Sequence, residues 1–398
     1  MTSNIEQIVV LLLVAALVAM LARRMGVPYT VGLVVAGILI AISPLHVSLH
    51  LTKDLIFTIF LPPLIYEAAF QMDWDELRHD LGILLILATV GVFISSAIVA
   101  VGARAWIGLG WSSAILLGVL LSATDPVSVI ATFKESGVFG RIRMLVEAES
   151  LMNDGTAAVL FTLALGFAGS VSHSSPTAFG VILAFLSSVI GGIVVGAVVG
   201  GAALLLAGRA TTLLAKMAFT MIAAYGAFIL AQQVGFSGVL ATMTAGILMG
   251  NARGYWALAD QSGDELTFVW EFAAFLANSF IFLLIGIELA GISFATVWIQ
   301  ALIVIGLVLV GRAITVYGLC GLFVKSSLKV SVPDQHVLFW GGLRGALALA
   351  LVLGLPTDMP SRSSMIGIVF AVVAFSVVFQ GLTLKPLLRA TGHLGRSR

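Results

Sequence analysis

Leu81-Gly-Ile-Leu-Leu-Ile-Leu-Ala-Thr-Val-Gly-Val-Phe-Ile-Ser-Ser-Ala-Ile-Val-Ala-Val-Gly-Ala103 carries no charge and no alternation of polar with apolar residues, and Asp80 and Arg104 bracket it. A helix needs about 20 such residues to cross the hydrocarbon of a bilayer, whereas a barrel strand needs about 10 alternating ones. The stretch therefore spans as a helix. The rest of the chain agrees: 60% of its 398 residues are apolar and 10% are charged, against roughly 25% charged in an ordinary soluble domain. Thirty-nine charged side chains cannot cover the surface of a soluble fold of this length. The net charge of +1 supplies no basic arm for nucleic acid, and the single cysteine, Cys320, excludes an internal disulfide.

Working outward from that stretch, hydropathy predicts an all-α polytopic membrane protein of about thirteen spans. They cover 5–22, 28–43, 54–70, 81–103, 113–133, 143–169, 178–207, 214–233, 236–250, 265–289, 292–324, 335–355 and 363–388. The first begins at Glu6 without a basic stretch before it or a small-residue cleavage site after it, so it is read as a retained helix. No loop is long enough for a soluble domain, and 1–398 is read as one membrane domain. Alternate loops test the count. One set carries Arg23, Arg24, Arg78, Lys134, Arg141, Arg143, Arg209, Lys216, Arg253, Lys325, Lys329, Lys385, Arg389, Arg396 and Arg398; the other carries Lys53, Arg104 and Arg362. The positive-inside rule then predicts a multi-pass protein of the plasma (inner) membrane, with the N-terminus outside and the C-terminus in the cytoplasm.

Ala36-Gly37-Ile38-Leu39 in the second span recurs as Ala245-Gly246-Ile247-Leu248 in the ninth. Seven spans separate the copies, so two six-helix repeats, 5–169 and 214–388, would be inverted relative to each other, with 178–207 linking them. Inverted repeats belong to secondary transporters, whose sites lie at mid-membrane between broken helices. Breaks are expected at Thr124-Asp125-Pro126 in the fifth span, where proline removes a donor and restricts the residue before it, and at Gly341-Gly342-Leu343-Arg344-Gly345 in the twelfth.

Ionisable groups in hydrocarbon cost about 2.5 to 3.5 kcal/mol each on the insertion scale and mark a pathway or a pair. The candidates are Glu67, Asp125, Glu149, Asp154, Arg312 and Arg344. In the sixth span Ser150 and Asp154 share one helical face and Glu149 and Asn153 another, while the two carboxylates diverge by about 140°. Asp154, Ser150, Asp125 and an unwound Thr124 carbonyl would offer hard oxygens to a small hard cation. Glu149 points elsewhere, and Arg344 needs an acid, so a structural Glu149–Arg344 ion pair is predicted. Arg312 is read as structural. Asp125 has a second reading, as the cap of a half-helix N-terminus; Glu67, one turn after Pro62-Pro63, has a local structural one. His46, His50, His79, His173, His336 and His393 show no metal-ligand spacing and are read as solvated.

Leu121–Val127, Glu149–Gly155 and Gly341–Ala346, together with Phe60–Ala68 and Ser237–Ala241, resemble the signature segments of the monovalent cation/proton antiporters, which include the NhaP type and the animal sodium/proton exchangers. The segments fall in order across nearly the whole chain. The resemblance implies a homodimer in which each protomer has an interface and a core domain, with the fifth and twelfth spans unwound and crossing at the ion site. By matching positions, Asp154 would bind cation or proton, Asn153 would support it, and Asp125, Glu67, Ser150 and the Thr124 carbonyl would help form the site. The Asn-Asp pair goes, in that family, with electroneutral one-for-one exchange of Na⁺ or Li⁺ for H⁺. One departure is Gln232-Gln233, where many members carry an acid. The alternatives are K⁺/H⁺ or broad monovalent cation exchange, an intramembrane aspartyl protease using two carboxylates, and a channel. No cofactor and no enzyme activity are expected beyond the transported ions, and the surrounding partner is the lipid bilayer.

Overall fold

The computed structural model describes residues 4–25, 27–43, 51–169, 177–252, 262–292 and 297–394. They form helices throughout: α1 (Asn4–Met25), α2 (Tyr29–Ile42), α3 (Leu55–Gln71), α4 (Trp74–Ile107), α5 (Trp111–Leu120), α6 (Val127–Ser136), α7 (Arg141–Gly169) and α8 (Ala178–Ala207) in the first part. Then follow α9 (Leu213–Gln233), α10 (Gly238–Asn251), α11 (Ser262–Gly291), α12 (Trp298–Leu322), α13 (Val332–Gly341), α14 (Ala346–Leu353) and α15 (Arg362–Ala390). Among the described residues, nine helical stretches are long and apolar enough to cross a membrane, one of them the α13–α14 pair taken together, and four shorter apolar helices join them. His46, His50, His173, Arg253, Arg396 and Arg398 lie outside the described residues.

The opening stretch is the middle of α4, which extends through the bracketing charges to Trp74 and Ile107. Asp73 starts it by accepting from the backbone N–H groups of Asp75 and Glu76. The fifth span is split into α5 and α6 by the non-helical segment 121–126, and the twelfth into α13 and α14 by 342–345. These are the two interruptions that proline and glycine chemistry predicts.

Two groups of helices are evident from what packs on what. α1, α2, α3, α8, α9, α10 and α11 cluster together, and α4, α5, α6, α7, α12, α13, α14 and α15 form the other group. Small residues set the closeness within them, as in membrane helix packing generally. Gly37 of α2 lies against Gly286 of α11, so that a Cβ on Gly37 would stand 2.1 Å from the Leu283 carbonyl oxygen. Gly246 and Gly250 of α10 lie against the backbone of Tyr66 and Phe70 in α3. In the second group Gly118 of α5 meets the Ser96 carbonyl of α4. The site lies between the groups.

Candidate functional site

The unwound segments cross, and hydrogen bonds hold the crossing. Asp125 N–H donates to the Leu343 carbonyl at 2.7 Å. The Asp125 carboxylate accepts from Val127 N–H at 2.9 Å through Oδ1 and from Ala346 N–H at 3.3 Å through Oδ2. It therefore caps the N-termini of both half-helices, α6 and α14, placing negative charge where both macrodipoles favour it. Gly345 makes the approach possible, since a Cβ there would lie 1.9 Å from Asp125 Oδ2. Arg344 sits at the opposite pole of the crossing, 1% exposed, with its guanidinium donating to the Ala123 carbonyl at 3.3 Å and to the Gly342 carbonyl at 3.5 Å. Those carbonyls lie just beyond the C-terminal ends of α5 and α13, where a cation is favourable.

α7 runs beside the crossing and presents two faces. On one, Asn153 accepts from Thr124 N–H at 3.1 Å and donates to Thr124 Oγ1 and, at 3.1 Å, to Glu149. Ser150 Oγ bonds Thr124 Oγ1 at 3.1 Å. Asn153 thus replaces the helical acceptor that the Thr124 N–H has lost. The other face carries Asp154 onto a cavity of about 270 Å³. Glu67, Thr124, Asp125, Glu147 and Asp154 all line it, and Lys134 and Glu271, paired at 3.2 Å and 41% and 43% exposed, stand at its mouth. Gln71 bonds Glu67 and reaches Glu271 at 3.4 Å. Asp154 Oδ1 is buried with no hydrogen-bond partner.

Four of the six site residues named from sequence, Asp154, Asp125, Thr124 and Glu67, line this cavity. Ser150 and Asn153, 0% and 1% exposed, stand behind its wall and hold Thr124 instead. The expected Glu149–Arg344 pair is corrected. Glu149 is held by Arg312 of α12, with Nη1 donating to Oε1 at 2.7 Å and Nη2 to Oε2 at 2.9 Å. Arg312 also donates to the Leu338 carbonyl at 2.9 Å. The physical reason is that the break turns Arg344 inward to the half-helix carbonyls, while Arg312 lies across from Glu149 and can meet it with a two-pronged fork. Asp125 fulfils its capping alternative and still lines the cavity. Gln232 and Gln233 are exposed at the end of α9, outside the cavity wall.

Sequence reasoning missed Glu147, Lys134, Tyr29 and Asn278 as site residues and set Glu271, in the tenth span, aside; all five are on the cavity wall. Glu147 was findable: seven residues before Asp154, it lies on the same stripe of α7. Tyr29 and Asn278 come from two helices far apart in the chain, and no spacing rule joins them. Among the described residues, no group of three or more His, Cys, Asp or Glu forms a cage for a metal ion. One unpartnered carboxylate oxygen, on the cavity-lining Asp154, can take a proton or lie against a cation.

The model of the family described as sodium/hydrogen exchanger, transmembrane, matches residues 9–390. The chain belongs to the sodium/hydrogen exchanger family. It is 37% identical to the low-affinity Na⁺/H⁺ antiporter NhaS1 of Synechocystis over 98% of this chain and 76% of the relative. It is 32% identical to the Na⁺/H⁺ antiporter NhaH of Halobacillus dabanensis over 98% of both. The fold is that of the solved sodium proton antiporter MjNhaP1 of Methanocaldococcus jannaschii, with a TM-score of 0.73, 20% identity, and 98% and 96% of the two chains covered. As an exchanger family member the chain is a multi-pass membrane protein, and its relatives are transporters.

Proposed function

We propose that this protein is a secondary antiporter that exchanges Na⁺ for H⁺, and also accepts Li⁺, with Asp154 taking one or the other. One observation carries the reading. Among the described residues, Asp154 Oδ1 is the only carboxylate oxygen that is fully buried without a hydrogen-bond partner, and its side chain lines the cavity. The carboxylates around it are committed: Asp125 to two backbone N–H groups, Glu149 to Arg312, Glu67 to Gln71. A bare carboxylate in a low dielectric is costly, so the helix group bearing Asp154 moves most easily when a proton or a cation neutralises it. That cost couples the two ions. Asn153 has no charge to carry a second proton, which supports one-for-one, electroneutral exchange.

Thr124, tied to Asn153 and Ser150, and Asp125, tied to both half-helices, keep the crossing rigid beside the ion. The cavity mouth at Lys134 and Glu271 lies on the Lys/Arg-rich side, which we assign to the cytoplasm, with the protein in the plasma membrane as a homodimer. The aspartyl protease reading loses support because such a dyad shares a proton between two free carboxylates, and both oxygens of Asp125 are engaged.

The test is proton movement in sealed vesicles on addition of Na⁺, Li⁺ or K⁺, with and without the membrane potential clamped. Wild type should move protons with Na⁺ and Li⁺ at a rate the clamp leaves unchanged. Asp154→Asn should abolish it. Raising the proton concentration on one side should raise the apparent KM for Na⁺ there and leave the maximal rate intact. Exchange surviving Asp154→Asn would overturn the proposal.

A further inference from the structure

The wall of the cavity facing the crossing belongs to the other helix group, and it holds a polar pair. Tyr29, the first residue of α2, lines the cavity half-buried, and its ring stacks on Phe275 of α11 with centroids 6.2 Å apart. Asn278, one turn beyond Phe275 on α11, shares the cavity lining with it. Asn278 is 7% exposed.

We propose that Tyr29 and Asn278 form the second wall of the cation site, supplying neutral oxygens to the ion held by Asp154 and setting which alkali cation is preferred. The inference rests on the exchange reading above. A small hard cation gathers several oxygens. The crossing supplies only some of them, because Ser150 and Asn153 already bond Thr124 and each Asp125 oxygen already accepts a backbone N–H. The α2–α11 wall of the same cavity carries a phenol and an amide; an amide has two donors and an acceptor, a phenol one donor and an acceptor. A polar pair in a membrane-embedded wall is costly unless it is used. Both groups are uncharged, so they can ligate a cation without altering the one-charge arithmetic at Asp154. The stack on Phe275 holds the phenol ring against the cavity wall.

The experiment uses the whole protein in sealed vesicles with Na⁺, Li⁺ and K⁺ in turn, and purified protein melted with each salt. Tyr29→Phe keeps the ring stack and removes only the oxygen. It should raise the apparent KM for Na⁺ and Li⁺ by about 3- to 10-fold, the loss of one polar contact. The maximal rate should stay near wild type, the KM ratio of K⁺ to Na⁺ should fall, and the stabilisation by Na⁺ on melting should weaken. Asn278→Ala should act in the same direction. Where Asn278→Ala fails to fold, Tyr29→Phe decides alone. KM values unchanged for all three cations, or a maximal rate lowered equally for all with the KM ratio fixed, would overturn the inference while wild-type exchange and its loss in Asp154→Asn left the function intact. Wild type moving no protons would instead remove the exchange reading on which it rests.

Discussion

Gly345 and Asp125 are joined by geometry that leaves no room for a methyl group. A Cβ on Gly345 would stand 1.9 Å from Asp125 Oδ2 and 2.3 Å from its Cβ, so Gly345→Ala must push Asp125 off the N-termini of α6 and α14. Exchange in vesicles should be lost. Gly341, four residues earlier, has Val129 no closer than 3.4 Å to a built Cβ, and Gly341→Ala should exchange at near wild-type rate. Equal rates in the two variants would argue against the capping role. The Glu149–Arg312 pair predicts a different kind of loss. Both side chains are buried, at 1% and 7% exposure, and removing one partner strands a charge. Arg312→Ala should lower stability by about 3 to 5 kcal/mol, read as a lower melting temperature, whereas Arg344→Ala leaves no carboxylate of Glu149 unpaired and should melt closer to wild type.

Helix packing at the scale of whole elements is set by glycines at the crossing points. α2 and α11 touch at Gly37 and Gly286, where built Cβ atoms would reach 2.1 Å from Leu283 O and 2.2 Å from Val34 O. Gly37→Val should force the helices apart and cost about 1 to 3 kcal/mol, visible as a drop in melting temperature. Gly306→Ala in α12, where nothing lies within 4 Å of the new Cβ, should melt as wild type. The two glycines of the recurring Ala-Gly-Ile-Leu segments hold parallel positions. Gly37 brings the second span to the tenth and Gly246 brings the ninth to the third, as expected if third and tenth spans are also mates in an inverted pair. The close approach at both glycines ties the tetrapeptide to a packing role.

At the scale of the whole molecule, the two helix groups meet at few polar contacts on the side of the cavity mouth among the described residues. Thr30 Oγ1 of α2 bonds Ser128 Oγ of α6 at 2.7 Å, and Lys134 of α6 pairs with Glu271 of α11 at 3.2 Å. An antiporter must separate such contacts to expose its carboxylate to the other side. Joining Lys134→Cys to Glu271→Cys by a short reducible thiol cross-linker should therefore stop exchange, and reduction should restore it. Exchange that continues at full rate in the cross-linked protein would mean the groups need not part there. The lone native thiol, Cys320, is buried and does not compete for the reagent.

Membrane residence, helical class, the two helix breaks and four of the cavity's polar residues were legible in the amino-acid order. Each rests on a local cause: apolar length, proline and glycine chemistry, and the cost of charge in hydrocarbon. The partner of Glu149 was not legible. Two buried arginines, Arg312 and Arg344, satisfied the same charge count, and only the turn of the backbone at 342–345 and the facing of α12 on α7 chose between them. Ser150 and Asn153 shared faces with the right neighbours, yet their reach to the cavity depended on where Thr124 came to rest. Tyr29 and Asn278 come to one cavity because α2 and α11 pack together, a relation between elements that hydropathy and spacing along one strand of sequence do not encode.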